Sequence, residues 1–283
     1  MAVQCSEDSF VINQTSDLRI NICSKSRQLL IVANRWATFK KTASKHTTFT
    51  LTILATFSCA TAPDTDDHFK VDYKGALKNI MHKGDLSSQA NLTDFQDTEH
   101  FYALGAVENL KGEILILDSK TFISSVQDQN LSISNSFNHK ATLLVYASVD
   151  KWASSTIPDN ISTYEDLEKH IEQTAKDNGI NTEEPFPFLI NGRAKSFDWH
   201  VIDWKDGDTV HSHEKHISSG FHGTLSNKDV EILGFYSNSH HAIFTHHTTN
   251  MHLHVKTTDN KTSGHLDGMT LGQGMTLKLP DVK

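Results

Sequence analysis

Residues 251–268 read MHLHVKTTDNKTSGHLDG, and this stretch decides how the second half of the chain folds. Its first five residues alternate apolar and histidine side chains, which is typical of a β-strand with one buried face. His252 and His254 then share the other face, about 7 Å apart at Cα, a spacing that lets both grip one ion. The polar turn at residues 257–261 returns the chain as a hairpin and brings His265 toward the pair. Three neutral imidazoles that converge on one point predict a metal site, and we expect one zinc ion per chain.

Histidines are concentrated around this stretch, because 12 of the 18 fall within residues 200–265. Two adjacent pairs, His240-His241 and His246-His247, would point apart on a strand, so we predict loop positions for them. A further group lies among acidic residues without apolar alternation, which favours a solvated hairpin tip and leaves a second metal site open. That group is His211, His213 and His216.

Outward from the metal strand, short apolar runs predict further strands in the second half of the chain. They are Phe186–Ile190, Phe197–Trp204, Val230–Tyr236 and Met275–Leu279. The clearest helix is Tyr164–Asn178, for which Ser162 and Glu165 form a capping box and Gly179 supplies the stop.

The first half mixes helical and strand patterns. Helices are predicted over Tyr73–His82 and near Leu92–Phe95, and strands over Phe101–Val107, Glu113–Leu117 and Ala141–Val149. The predicted fold class is therefore α+β, with a mixed β-sheet N-terminal half that carries helices and a mostly antiparallel C-terminal half that carries the metal site. The expected parts are an upstream extension and signal segment at residues 1–62, the N-terminal part at 63–157 and the C-terminal part at 158–283.

The segment before residue 63 has the features of an export signal. Three lysines at positions 40, 41 and 45 precede an apolar run of 12 residues at 47–58, too short to span a bilayer as a helix. Cleavage after Ala62 predicts a periplasmic or secreted protein without a transmembrane span, and lipid attachment at Cys59 is the alternative. A buried strand that begins a domain is the structural explanation of the same run. All three cysteines lie at or before Cys59, so the cleaved chain would have no thiol ligand or nucleophile.

Charge restricts the partners of the chain. Residues 63–283 contain 18 lysines and 1 arginine against 31 acidic residues, a net charge of −12. Such an acidic surface argues against nucleic acid and anionic membranes as partners. The one arginine in this range, Arg193, is conspicuous for the same reason.

Three segments of the chain resemble the alpha-acetolactate decarboxylase family. Residues 252–268, HLHVKTTDNKTSGHLDG, are similar to the family's H-L-H-F…G-G-H-V-L-D stretch, including the ten residues between the second and third histidines. Residues 100–120, HFYALGAVENLKGEILILDSK, are similar to its G-T-F…L-D-G-E-x-x-x-L-D-G stretch, and ILGFYS at 232–237 to its L-V-G-F element. The resemblance extends from about residue 73 to residue 280.

The resemblance implies a zinc ion held by His252, His254 and His265 at a cleft between two β-rich domains, with Glu113 as a further ligand or acid/base group. Members of the family are carboxy-lyases that remove CO₂ from 2-acetolactate, a small 2-hydroxy-3-oxo acid, to give acetoin. The resemblance also suggests that the protein forms a homodimer.

The chain departs from the family pattern around the substrate. Ala106 stands where the family has a threonine, and the family's substrate-facing arginine falls at Trp199 or His200. Either Arg193 or a protonated His200 could take its place. The family also has a glutamate in its C-terminal tail, whereas only Asp267 and Asp281 are acidic after the third histidine here.

The sequence is also compatible with two other functions. An exported zinc-binding protein without catalysis would explain the surplus of histidines and would hold several ions per chain. A zinc-dependent hydrolase on the same scaffold would keep the three histidines and use Glu113 as a base.

Overall fold

The computed structural model describes residues 69–283, which form two antiparallel β-sheets packed against each other. The export signal and the lipidation of Cys59 expected from the sequence lie outside the described residues. None of the helices in residues 69–283 combines the length and the apolar character that a membrane-spanning helix needs.

The first sheet has the strand order β1-β7-β3-β4-β5-β6, and β2 also pairs with β7. Its strands are β1 (Asp72–Lys74), β2 (Ala90–Asn91), β3 (Phe101–Val107), β4 (Glu113–Leu117), β5 (Lys120–Gln127), β6 (Asn130–Ser134) and β7 (Lys140–Ser148). The expectation of a mixed sheet is wrong, because every strand pairing in this sheet is antiparallel. The reason is local: two-residue turns at 118–119 and 128–129, with positive φ at both positions, join neighbouring strands as tight hairpins.

The second sheet has the order β10-β11-β12-β9-β13-β8, and β10 also pairs with β9. Its strands are β8 (Trp152–Thr156), β9 (Phe186–Val201), β10 (Phe221–Tyr236), β11 (Met251–Thr257), β12 (Ser263–Thr270) and β13 (Thr276–Pro280). The two strands expected at 186–190 and 197–204 are one continuous strand, β9. Because β10 pairs with both β9 and β11, the strands β9, β10, β11 and β12 close into a ring.

The described residues contain few helices. They are α1 (Leu77–Lys83), α2 (Tyr164–Asp177) and α3 (His213–Ser218), with 3₁₀ turns at Leu92–Phe95 and Glu108–Leu110. The helix expected from Tyr73 begins later, at Leu77, because Asp72–Lys74 pairs with β7 as a strand. Helix α2 begins at Tyr164 as predicted. Its N-terminal cap is Thr163, one residue later than expected, and Oγ1 of Thr163 accepts the N–H of Asp166 at 3.1 Å.

The two sheets meet at a shared apolar core that frames a polar site. Strand alternation turns Leu115 of β4 toward Leu233 and Phe235 of β10, and the three side chains are buried in one cluster. Glu113 lies on the same face of β4 as Leu115, so its carboxyl group also points at the second sheet. Residues 72–148 build the first sheet and residues 152–280 the second; the expected domain boundary near residue 157 stays a prediction.

Candidate metal centre

Three histidines stand side by side on neighbouring strands of the second sheet. His254 of β11 pairs with His265 of β12, which pairs in turn with His200 of β9. His252 lies two residues before His254 and on the same face. The intervening Leu253 turns to the opposite face and is fully buried in the core of the second sheet. The alternation that the sequence predicted is therefore what directs the imidazoles at the first sheet.

The imidazoles of His252, His254 and His265 converge on one point. One ligating nitrogen from each lies within 4.8 Å of the others, and the ring centroids are 5.0–5.3 Å apart. This is the only set of three or more ligating side chains that comes together so closely within residues 69–283. Three imidazoles with an open side are a ligand set typical of a catalytic divalent metal ion, above all zinc.

The protonation and hydrogen bonding of these rings also fit a metal. Burial lowers the pKa of His252 to about 3 and holds the pKa of His254 and of His265 well below the usual range. All three rings are therefore neutral at pH 7, the state that ligates a metal. Neither ring nitrogen of His254, nor Nδ1 of His252, makes a hydrogen bond of ordinary length and angle in the part of the chain that the structure describes, although the backbone of Ile114 lies near enough to His254 to oppose the lowering of its pKa. Buried polar atoms without partners are rare, and a bound ion would satisfy them.

Gly264 makes the close approach of the strands possible. A Cβ atom at this position would overlap the backbone carbonyl oxygen of His200 on β9. Only glycine therefore lets β12 pair here with β9, which brings His265 beside His200.

Glu113, which the family resemblance implied as a ligand or acid/base group, projects from the first sheet toward the histidines. Its Oε2 lies 3.6 Å from Nε2 of His254, and its Oε1 lies 3.8 Å from Nε2 of His200. Only 5% of Glu113 is exposed. Burial raises the pKa of Glu113 well above its usual range, although the backbone N–H of Ile202 donates to Oε1 at 3.3 Å and opposes the shift. The side chain is thus suited to hold and release a proton.

His200 is held in place by a carboxylate that the sequence analysis did not assign. Nδ1 of His200 lies 2.9 Å from both carboxylate oxygens of Asp267. Asp267 is the extra residue of a β-bulge in β12, between the pairs made by Leu266 and by Gly268. The bulge directs its side chain at His200. In the sequence, only the position of Asp267 two residues after His265 indicated that it could lie near the site. Residue spacing does not reveal the bulge that turns its side chain toward His200.

Arg193 is not brought to this centre. Its guanidinium group pairs with Asp229 on β10, with N–O distances of 3.1 and 2.6 Å, and its side chain is 62% exposed. Arg193 lines none of the cavity around the histidines. The ion pair forms because Arg193 and Asp229 are direct partners in the β9–β10 ladder.

A cavity of about 380 Å³ opens in front of Glu113, His200, His252 and His265. Further histidines line it, and the sequence analysis had placed them in solvated or irregular segments. The expected hairpin tip at 211–216 is instead helix α3 and the turn before it, with the ring of His211 stacked on Trp204 at 4.4 Å. His213 and His216 from this segment, and His246 from the connection between β10 and β11, face the cavity.

Three solved structures share this fold. An alpha-acetolactate decarboxylase from Bacillus subtilis strain 168 is 13% identical, with a TM-score of 0.58 over 74% of this chain and 85% of that chain. An acetolactate decarboxylase from Bacillus subtilis subspecies spizizenii is 14% identical, with a TM-score of 0.59 over 74% and 85%. A Staphylococcus aureus protein of unknown function, described as similar to alpha-acetolactate decarboxylase, is 12% identical, with a TM-score of 0.57 over 74% and 84%.

Identities this low establish similarity of fold alone. No curated protein sequence matches the chain. The sequence model of the family described as alpha-acetolactate decarboxylase, however, matches residues 73–282, which include nearly all of both sheets and every residue of the candidate metal centre. The chain therefore belongs to the alpha-acetolactate decarboxylase family.

Proposed function

We propose that the protein is a zinc-dependent carboxy-lyase that converts 2-acetolactate to acetoin and CO₂. The observation that carries this proposal is the convergence of His252, His254 and His265 beside the buried carboxyl group of Glu113. Family membership supports the reaction, and the three-imidazole donor set supports zinc as the metal. A zinc ion held there would supply a Lewis acid for the ketone and hydroxyl oxygens of the substrate.

The reaction requires a proton at carbon. The bond between the carboxylate carbon and C2 breaks, CO₂ leaves, and the electron pair moves toward the ketone oxygen. One proton must then be added at C2 to give acetoin. We assign this proton to Glu113, because burial raises its pKa well above the usual range and so favours the protonated carboxyl group.

We assign the substrate-facing cation to His200 rather than to Arg193. Asp267 accepts the Nδ1–H of His200, so Nε2 points into the cavity and toward Glu113. In its protonated form this ring can pair with the substrate carboxylate before CO₂ leaves. Arg193 lies outside the cavity and is already paired with Asp229.

Metal sequestration is the competing function, and the arrangement of the histidines favours one ion instead. The sequence left a second site open at His211, His213 and His216. There Nδ1 of His211 meets Nε2 of His216 at 3.0 Å, and within residues 69–283 no second set of three ligands forms. A hydrolase would use the same centre, so only the products separate it from a decarboxylase.

The test is acetoin formation from racemic 2-acetolactate by the zinc-loaded protein, together with elemental analysis of zinc. We expect one zinc per chain and acetoin from the parent protein, and neither from His254→Ala. The matched control is His139→Ala, since His139 lies outside the cavity and hydrogen-bonds Ser134; it should keep both. One zinc without acetoin would refute the decarboxylase assignment, and several zincs per chain would favour sequestration.

A further inference from the structure

We propose that the site prefers 2-hydroxy-3-oxo acids with a longer alkyl substituent than the methyl groups of 2-acetolactate. The inference rests on the proposed function, since it concerns the substrate of the same centre. It follows from the apolar side chains that line the cavity beside Glu113, here called the apolar compartment.

The compartment begins directly beside the proposed proton donor. Ala106 on β3 pairs with Glu113 on β4 and, on its other side, with Leu143 on β7. Paired residues of an antiparallel sheet project from the same face, so these three side chains form one row across the first sheet. All three line the cavity. In this row, the small apolar side chain of Ala106 lies next to Glu113, and the large apolar side chain of Leu143 lies next to Ala106.

Helix α1 supplies a further wall of the cavity, in which Lys78 and His82 accompany the apolar side chains. Leu77, Ile80 and Met81 line the cavity from this helix. The first turn of α1 is anchored to the connection between β10 and β11, because the N–H groups of Leu77 and Lys78 donate to the carbonyls of Ile243 and Ala242, both at 2.8 Å. These hydrogen bonds fix the position of α1, and therefore of its cavity-lining side chains, within the fold.

The size of the cavity exceeds what 2-acetolactate fills. Cavities of about 300–1,000 Å³ accommodate drug-sized ligands, whereas 2-acetolactate has roughly nine non-hydrogen atoms. The present cavity measures about 380 Å³. When the polar end of 2-acetolactate binds beside Glu113 and the histidines, its methyl groups leave part of the cavity lined by Leu143 and Met81 unfilled. A longer alkyl chain would fill that part and bury apolar surface.

The expected gain can be stated per methylene. Each fully buried CH₂ group strengthens binding by about fourfold. Extending the substituent from methyl to propyl adds two CH₂ groups and should therefore raise kcat/KM by about 15-fold, and a chain longer than the compartment should lose the gain.

The experiment uses the zinc-loaded protein and two series of ligands. One series is 2-hydroxy-3-oxo acids with methyl, ethyl, propyl or butyl groups, placed first at C2 and then on the ketone, and CO₂ release is measured. The other is the corresponding 2,3-dihydroxy acids, which have no ketone and cannot decarboxylate, and their Kd is measured by calorimetry. The second series reports on the compartment even if no acid is decarboxylated.

Two variants should move the preference in opposite directions. Ala106→Val narrows the compartment and should shift the optimum back toward methyl, whereas Met81→Ala widens it and should shift the optimum toward butyl. Ala153→Val is the matched control for the added methyl groups. Ala153 lies on β8, outside the cavity, and this change should leave the optimum in place.

The outcomes separate the two proposals. Rising affinity and kcat/KM with chain length, displaced by the variants as stated, would support the preference. Decarboxylation of 2-acetolactate with flat or falling values along both series would overturn the preference and leave the proposed function intact. Rising affinity of the dihydroxy acids without any CO₂ release would support the apolar compartment and refute the decarboxylase assignment.

Discussion

Replacement of His254 by leucine should stabilise the metal-free protein and abolish its stabilisation by zinc. His254 is fully buried, and neither of its ring nitrogens makes a hydrogen bond of ordinary length and angle within residues 69–283. An unsatisfied buried polar group lowers the free energy of unfolding by about 1–3 kcal/mol. Leucine has a similar volume, no polar atoms, and an apolar neighbour in Leu233, its partner in the β10–β11 ladder.

The magnitude follows from these contacts. Without metal, His254→Leu should raise the free energy of unfolding by about 1–3 kcal/mol, which is roughly 2–4 °C in Tm per kcal/mol for a chain of this size. With free zinc at 1,000 times its Kd, the parent protein gains about 4 kcal/mol and the variant gains nothing. The order of stability should therefore reverse between the two conditions.

The assay is urea unfolding in excess chelator and again in excess zinc, with His139→Leu as the matched control. His139 hydrogen-bonds Ser134 through Nε2 at 3.1 Å, so its loss should lower the free energy of unfolding by about 0.5–1.5 kcal/mol and leave the zinc response unchanged. If His254→Leu lowers stability in chelator, or if zinc still stabilises it, the assignment of His254 as an unsatisfied metal ligand is wrong.

Three further results are expected. Glu113→Gln should lower kcat by about 100- to 10,000-fold at an unchanged zinc content, because the amide has no transferable proton. Steady-state acetoin assays with elemental analysis of zinc check this. Normal turnover would exclude Glu113 as the proton donor. Thr163→Ala removes the hydroxyl that caps α2 and should lower the free energy of unfolding by about 1 kcal/mol without changing zinc affinity. Urea titration with and without zinc measures both quantities. An unchanged urea midpoint would contradict the role of Thr163 as the cap. Burial lowers the pKa of both His216 and His246 to about 4 in the folded protein. Below about pH 6.5 the unfolded chain therefore binds more protons than the folded chain. The metal-free protein should lose stability as the pH falls from about 7 toward 4. Urea midpoints across this window should fall, and His246→Gln should flatten the decline; a profile identical to that of the parent would argue against the contribution of His246.

Local patterns predicted the parts of this protein that depend on neighbours in sequence. Alternation over Met251–Val255 was sufficient to place His252 and His254 on one face of a strand. The strands Phe101–Val107 and Glu113–Leu117 appear with the predicted bounds, and α2 differs by one residue at its end. The family resemblance, confirmed by the match over residues 73–282, pointed to the third histidine and to Glu113.

Long-range pairing decided the remainder. Arg193 and His200 were both candidates for the substrate cation in the sequence, where they lie seven residues apart. Only the register of β9 against β10 and β12 pairs Arg193 with Asp229 and His200 with His265. Strand register depends on contacts between residues far apart in the chain, and a bulge such as the one at Asp267 shifts it without a mark in the spacing. The sequence alone therefore determined which side chains could bind a metal, whereas the packing of the two sheets determined which polar groups and which apolar wall surround it.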